Sequence, residues 1–361
     1  MTAMVMDPSH LQPLKRISPS RFTALRNCAL KEIWAANRVP GLLPASPAAK
    51  LGIVCHKLFE IATNRPLQTE DELLTAWNEI CSEVENGMRA NPLESHLVPL
   101  AKHAGNYGVK QRMAFSFARS ISQNSKPAAA PSRAGSKTEQ WFESVDGKVG
   151  GQIDIIHSTG QGVEISDYKS GAIVEKEGGS EQPKEEYQVQ LRLYAGLYYS
   201  VKNEWPAKLN VIGLDQRHYD VPFDSQECKQ LLEDAASLRD EINSRIKRRD
   251  PPDSFANPSA KTCFYCAYRP ACKSYWDARE DTDDWPVDIS GAVIQKKVLG
   301  NGLIRVVIES KGKHLAVRGL SPERHLVLNE DRKNLMLCNL AHDTAKDYFI
   351  QTALTAGYKT E

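Results

Sequence analysis

VDGKVGGQIDIIHSTGQGVEISDYKSG, residues 145–171, is the stretch on which the fold turns, and YQVQLRLYAGLYY at 187–199 completes it. One short apolar run ends in Asp154 and the next in Asp167-Tyr168-Lys169, with Gly160-Gln161-Gly162 between them as a turn. Asp146-Gly147 is a two-residue hairpin signal, so TEQWFESVDGKVGGQIDII reads as two strands and VEISDYK as a third. Side chains alternate along a strand, which puts Asp167 and Lys169 on one face and Tyr168 on the other. EYQVQLRLYAGLYYSV then carries apolar residues at helical spacing, with Gln190 and Tyr194 four apart on one face.

Two carboxylates at adjoining strand ends, with a lysine two residues past the second, are the parts needed to hydrolyse a phosphodiester. Asp154 and Asp167 offer the hard oxygen ligands that Mg2+ or Mn2+ prefers, and the Tyr168 carbonyl is placed to complete a metal shell. Lys169 would orient the attacking water or stabilise developing negative charge. On the helix AKLGIVCHKLFEIATN, His56 shares a face with Glu60 and offers an imidazole as a further ligand. Gln190 and Tyr194 would line the same cleft. Taken singly, each has a blander reading. An aspartate at a strand end is usually a turn or capping residue, and a helical histidine is usually a partly buried polar group. Their joint occurrence shifts the balance towards a metal site.

Outward from this centre, SPSRFTALRNCALKEIW reads as one helix with Cys28 near its middle, and two or three helices follow over 70–121. Loops are expected over 125–137 and 171–186. LNVIGLDQ is a further strand, and 226–249 is a long amphipathic helix stopped by Pro251-Pro252. Cys263, Cys266 and Cys272 crowd together after it, which points to a metal. Zinc on thiolates and an iron–sulfur cluster both suit such a group, and distant Cys28 together with the spacing suits the cluster. Cys55, Cys81, Cys228 and Cys338 read as small buried hydrophobes. Beyond an acidic linker at 279–286, SGAVIQKKV, GLIRVVIES, KHLAVRG, HLVLNE and NLMLCNL predict five short strands and AKDYFIQTALTA a final helix, together a small OB-like β-barrel over 287–361. Its lysines and arginines, among them Lys297, Arg305 and Arg318, either track a phosphate backbone or are simply solvated, and few aromatics accompany them.

The charges nearly cancel, 46 Lys+Arg against 45 Asp+Glu, so nucleic-acid contact must come from local patches. Without an apolar run long enough for a bilayer or a secretory signal, the expectation is a cytoplasmic protein with no membrane contact.

Gly52-x3-His56, Gly151-Gln-Ile-Asp154, Asp167-Tyr-Lys169 and Gln190-x3-Tyr194, in this order, resemble the signature of RecB-like nucleases of the PD-(D/E)xK superfamily. Cys28 with Cys263, Cys266 and Cys272 resembles the iron–sulfur subgroup, which includes CRISPR-associated RecB-like exonucleases and the AddB-type nuclease domain. The resemblance covers residues 18 to about 276. It implies an α/β fold, a restriction-endonuclease-like mixed sheet flanked by helices, spanning a 1–278 domain. It also implies DNA cleavage with Mg2+ or Mn2+ and a 4Fe-4S cluster on the four cysteines that staples the chain. The alternative is a DNA-binding or docking protein whose nuclease fold is an inactive scaffold. No Gly-x4-Gly-Lys-Ser/Thr loop occurs, so a helicase partner would be a separate subunit.

Overall fold

A computed structural model describes residues 11–124, 136–177, 180–329 and 333–360. The expected loop at 125–137 falls almost wholly outside them, and the expected turn at Glu330-Asp331-Arg332 falls outside entirely.

The helices α1 (Pro19–Asn27), α2 (Ala29–Ala36), α3 (Pro47–Asn64), α4 (Glu70–Ala90), α5 (Leu100–His103) and α6 (Tyr107–Asn124) come first. Their ends are locally encoded. The Ser46 hydroxyl accepts from Ala49 N at 3.2 Å to cap α3, and Thr69 with Glu72 forms a reciprocal capping box on α4. The predicted single helix over 18–34 is two helices. Cys28 stands between them in extended conformation (φ −159°, ψ 101°), which breaks the helical ladder and sends the chain off on a new axis.

Next come β1 (Ser136–Glu143), β2 (Gly150–Thr159), β3 (Gly162–Lys169), the hairpin of β4 (Val174–Glu177) and β5 (Ser180–Pro183), α7 (Glu185–Lys202), β6 (Lys208–Gly213), β7 (His218–Asp220) and α8 (Ser225–Lys247). β1 to β3, β6 and β7 form one sheet in the order β1-β2-β3-β6-β7. It is mixed, because α7 carries the chain across from β3 to a parallel β6 while every other neighbour is antiparallel. Two local expectations change here. The Asp146-Gly147 turn is a six-residue connection, since Ser144 N bonds Val149 O and Gly147 N bonds Ser144 O before β2 begins. The insert expected as an exposed loop over 171–186 contains the β4–β5 hairpin.

Helices cover both faces of the sheet. Leu191, Leu193 and Leu197 of α7 share a core with α1, α2, α8, Ile153 and Ile165. On the other face Leu51, Leu58, Trp77 and Phe117 of α3, α4 and α6 pack with Tyr168 and Ile212. α9 (Ala260–Phe264) and α10 (Lys273–Ala278) then frame the cysteine segment.

The tail, β8 (Ile289–Val298), β9 (Ile304–Ser310), β10 (Lys313–Leu320), β11 (Asn334–Asp343) and β12 (Tyr348–Lys359), closes into a five-stranded barrel. Five strands were expected, yet two assignments exchange. HLVLNE is a short 3-10 turn at Leu326–Asn329, and the segment expected as a final helix is the strand β12. Pairing with β11 on one side and β10 on the other outweighs the local helical pattern of AKDYFIQTALTA. The barrel is bonded to the rest of the chain. Arg269 and Asp288, both essentially unexposed, pair at 2.6 Å, and Asp288 also accepts from Tyr275 Oη and Asn339 N. Leu42 N donates to Ala267 O at 2.9 Å, while the Tyr358 hydroxyl donates to Leu42 O.

Candidate active site

β3 ends beside the middle of antiparallel β2, so Asp154 is mid-strand and not at the strand end expected, and beneath α3 a cleft of about 600 Å³ opens there. Asp154 lies in its wall. Its Oδ2 accepts the Tyr168 backbone N–H at 2.9 Å, which fixes one carboxylate against the neighbouring strand. Tyr168 lines the same cleft from the α3 side of the sheet, wedged edge-on between Phe59 and Phe117, and burial raises its phenol pKa.

Asp167 is 4% exposed and faces α7. Its Oδ1 accepts from Gln190 Nε2 at 2.7 Å, and Gln190 Oε1 accepts from Lys169 Nζ at 3.2 Å. One amide thus holds both charged groups, as the shared face of Asp167 and Lys169 requires. Lys169 Nζ also approaches Asp167 Oδ2 to 2.5 Å as an ion pair. That oxygen nevertheless has no properly directed hydrogen bond among the described residues. Lys169 already neutralises this oxygen, so a divalent cation bound here would share the carboxylate with the ammonium or displace it.

The Tyr194 hydroxyl donates to Gln152 O at 2.7 Å and so braces the β2 backbone two residues before Asp154; burial raises its phenol pKa, and nearby Asp167 and Asp154 raise it further. Gly151 makes room for it: a Cβ there would come within 3.1 Å of the ring and 2.8 Å of Pro19. Gly52 has a similar role, since a Cβ would meet Ser170 Oγ at 3.0 Å, and its absence brings α3 close over the end of β3.

His56 and Glu60 line the cleft from α3, one turn apart. The imidazole reaches solvent, but crowding by the cleft walls lowers its pKa, Lys169 lowers it further, and Asp167 opposes both. A neutral ring with an available lone pair follows at pH 7. Lys110 of α6 also lines the cleft, and nothing around it in the chain announces this, because a lysine on a solvated helix is ordinary.

Among the described residues, no three His, Cys, Asp or Glu side chains converge to enclose a metal ion. Mg2+ needs no such cage, because it keeps several waters and takes one or two carboxylates. Asp154 and Asp167, carried side by side by the neighbouring strands β2 and β3, fit that requirement.

Cys28, Cys263, Cys266 and Cys272 line a second, smaller pocket together with Trp34, Arg269 and Tyr275. All four are free and buried. Burial raises the thiols of Cys263 and Cys266 and pushes that of Cys272 up to about 12, and each also feels its neighbours as like charges. The helix break at Cys28 and the tight segment after α9 bring the four to this one place. Arg269 donates to Phe264 O at 2.9 Å and so fastens the same segment from behind. Cys55 and Cys228 lie outside this group, their thiols pushed up to about 12 by burial in the cores.

Among the described residues no helix is long and apolar enough to cross a membrane. No curated protein matches the chain at a significant level. A family model for the PD-(D/E)XK nuclease superfamily does match, over residues 16–273, from the first helices through the sheet and both carboxylates to the last of the clustered cysteines, and the chain belongs to that superfamily.

Proposed function

We propose that the protein is a Mg2+- or Mn2+-dependent DNA nuclease of the RecB-like type, acting as an exonuclease and carrying a 4Fe-4S cluster on Cys28, Cys263, Cys266 and Cys272. The observation that carries the nuclease reading is the buried Asp167 carboxylate, held by Gln190 and Lys169 on the strand next to that of Asp154, which lies in the cleft wall. A bound divalent cation supplies charge neutralisation at the phosphate and a more acidic water. The chain's own groups do the rest. Asp154 and Asp167 hold the cation, Lys169 balances charge on the phosphate oxygens, and Gln190 keeps lysine and carboxylate in register. His56 is the accessory ligand, and the Tyr168 carbonyl is available to the same shell. Tyr194 supports this site by holding β2.

The cluster reading is supported by donor chemistry. Four buried thiols lining one pocket suit a group that binds four thiolates. The exonuclease reading rests on the ordered motifs and their likeness to RecB-like enzymes. With it go a cytoplasmic location, a working division into 1–278 and 287–361 across the acidic 279–286 segment, and a separate motor subunit wherever duplex must be unwound.

The test is a time course on end-labelled linear and circular DNA with and without Mn2+, for the parent and Asp154→Ala. Metal-dependent loss of linear DNA that Asp154→Ala abolishes in a folded protein supports the reading. No cleavage under any condition would return the fold to the role of inactive scaffold. Iron and sulfide in anaerobically purified protein support the cluster, and zinc alone would refute it.

A further inference from the structure

The barrel carries a patch that the cleavage site does not use. Strand register places Lys297 of β8 directly opposite Arg305 of β9, and Arg318 of β10 follows beside the irregularity between Val317 and Leu320. Arg318 in turn stands level with Ile350 of β12. The four strands β8, β9, β10 and β12 thus present one outer surface, since the alternate positions Val306, Ile308 and Val317 point into the barrel core. Like charges directly opposite each other on a sheet are destabilising. Here the cost is not relieved: among the described residues Lys297 and Arg318 form no ion pair, and Arg305 bonds only the Gln295 amide, at 2.8 Å.

Beside this row lies an aromatic group that becomes visible only when the last segment is seen as a strand. The Arg318 guanidinium lies 5.1 Å over the Tyr348 ring, and Lys346 approaches the same ring at 5.9 Å. Ile350, 38% exposed, extends the apolar ground next to it. Unpaired cations in a row, with a half-exposed ring at the end of the row, match the two needs of a single strand: charge for the phosphates and a flat surface for a base.

We propose that this outer face of β8, β9, β10 and β12 is a binding surface for single-stranded DNA, with Lys297, Arg305 and Arg318 on the backbone and Tyr348 under a base. It rests on the DNA reading above, which it extends from the cleft to the barrel. Five-stranded Greek-key barrels of this kind commonly present oligonucleotides on such a face.

The test uses the full chain in divalent-free buffer, where cleavage does not intrude. Anisotropy of a labelled oligothymidylate of about 30 nucleotides is read against salt. Lys297→Ala/Arg305→Ala/Arg318→Ala should weaken binding about 10- to 100-fold near ~0.1 M salt and flatten the log–log salt slope by about 2. Its thermal unfolding should match the parent. Tyr348→Ala should weaken binding about 5-fold or more, and Tyr348→Phe should restore it. Unchanged affinity and slope in the triple variant would overturn the proposal and leave the face to a protein partner. Equal affinity for a blunt duplex of the same length would overturn its single-strand character. The two readings fail separately: affinity unchanged in the triple variant, with Mn2+-dependent cleavage by the parent intact, counts against the barrel face alone, and absence of cleavage by a parent whose binding the triple variant weakens counts against the nuclease alone.

Discussion

Gln190 offers the sharpest test of the catalytic arrangement, because one buried amide serves two charged groups. Replacing it with leucine keeps most of the volume and removes both contacts. The 2.7 Å bond to Asp167 Oδ1 and the 3.2 Å bond from Lys169 each involve a charge. Such bonds are worth about 1.5–3 kcal/mol apiece, and Gln190 is only 5% exposed, so water cannot easily replace them. Set against the added apolar burial of leucine, the net loss should be about 3 kcal/mol, read as a lower urea midpoint in metal-free buffer. Residues that orient metal ligands typically change metal affinity or activity 10- to 100-fold, so cleavage should fall by about that much. Mn2+ should recover part of the lost stability by satisfying Asp167. Gln190→Glu supplies the contrast: it keeps an acceptor for Lys169 but sets a second carboxylate against Asp167, so its penalty should grow as pH rises through the carboxylate range. A Gln190→Leu protein as stable and as active as the parent would refute the reasoning.

Two further outcomes follow from other parts of the chain. Gly151→Ala should cost about 1–3 kcal/mol and slow cleavage, since its Cβ would press on Pro19 at 2.8 Å and on the Tyr194 ring at 3.1 Å; thermal unfolding and a rate measurement check both. In the barrel, burial lowers the pKa of His325 from 6.5 to about 4, so the unfolded chain takes up a proton that the folded chain refuses. Stability should therefore fall on going from pH 6.5 to 4, on the order of 3 kcal/mol in all, and His325→Asn should flatten that fall in urea titrations.

The centre of the molecule was legible because its signals are local. Period-two alternation put Asp167 and Lys169 together, and i, i+4 spacing put Gln190 on the helix face that meets them. Tyr194 shares that spacing, but only packing showed that its hydroxyl reaches the β2 backbone. Lys110 joins the cleft through the fold of α6 across the sheet, which no neighbouring residue announces. Cys28 sits in a segment of good helical pattern, and the extended backbone that breaks it there answers to partners far away in sequence. At the other end, Tyr348 to Thr352 is rich in aromatic and β-branched residues, yet the apolar spacing of the surrounding stretch suggested a helix. The choice is made by pairing with β11, just before it across a short turn, and with β10 further back in the chain. The same misreading concealed the ring beside Arg318.

The Leu42 peptide unit is held from two directions, its N–H by Ala267 and its carbonyl by Tyr358, which lies 316 residues further along the chain. A ribosome adds roughly 5–20 residues per second, so about 15–60 s separate the emergence of Leu42 from that of Tyr358. Throughout that interval Leu42 and Leu43, which finally pack with Met336, Cys338 and Tyr358, have no apolar cover from the barrel. The N-terminal segment therefore spends most of its synthesis as a sticky nascent chain, and slow translation or a missing chaperone should lower the yield of this protein more than its final stability would suggest.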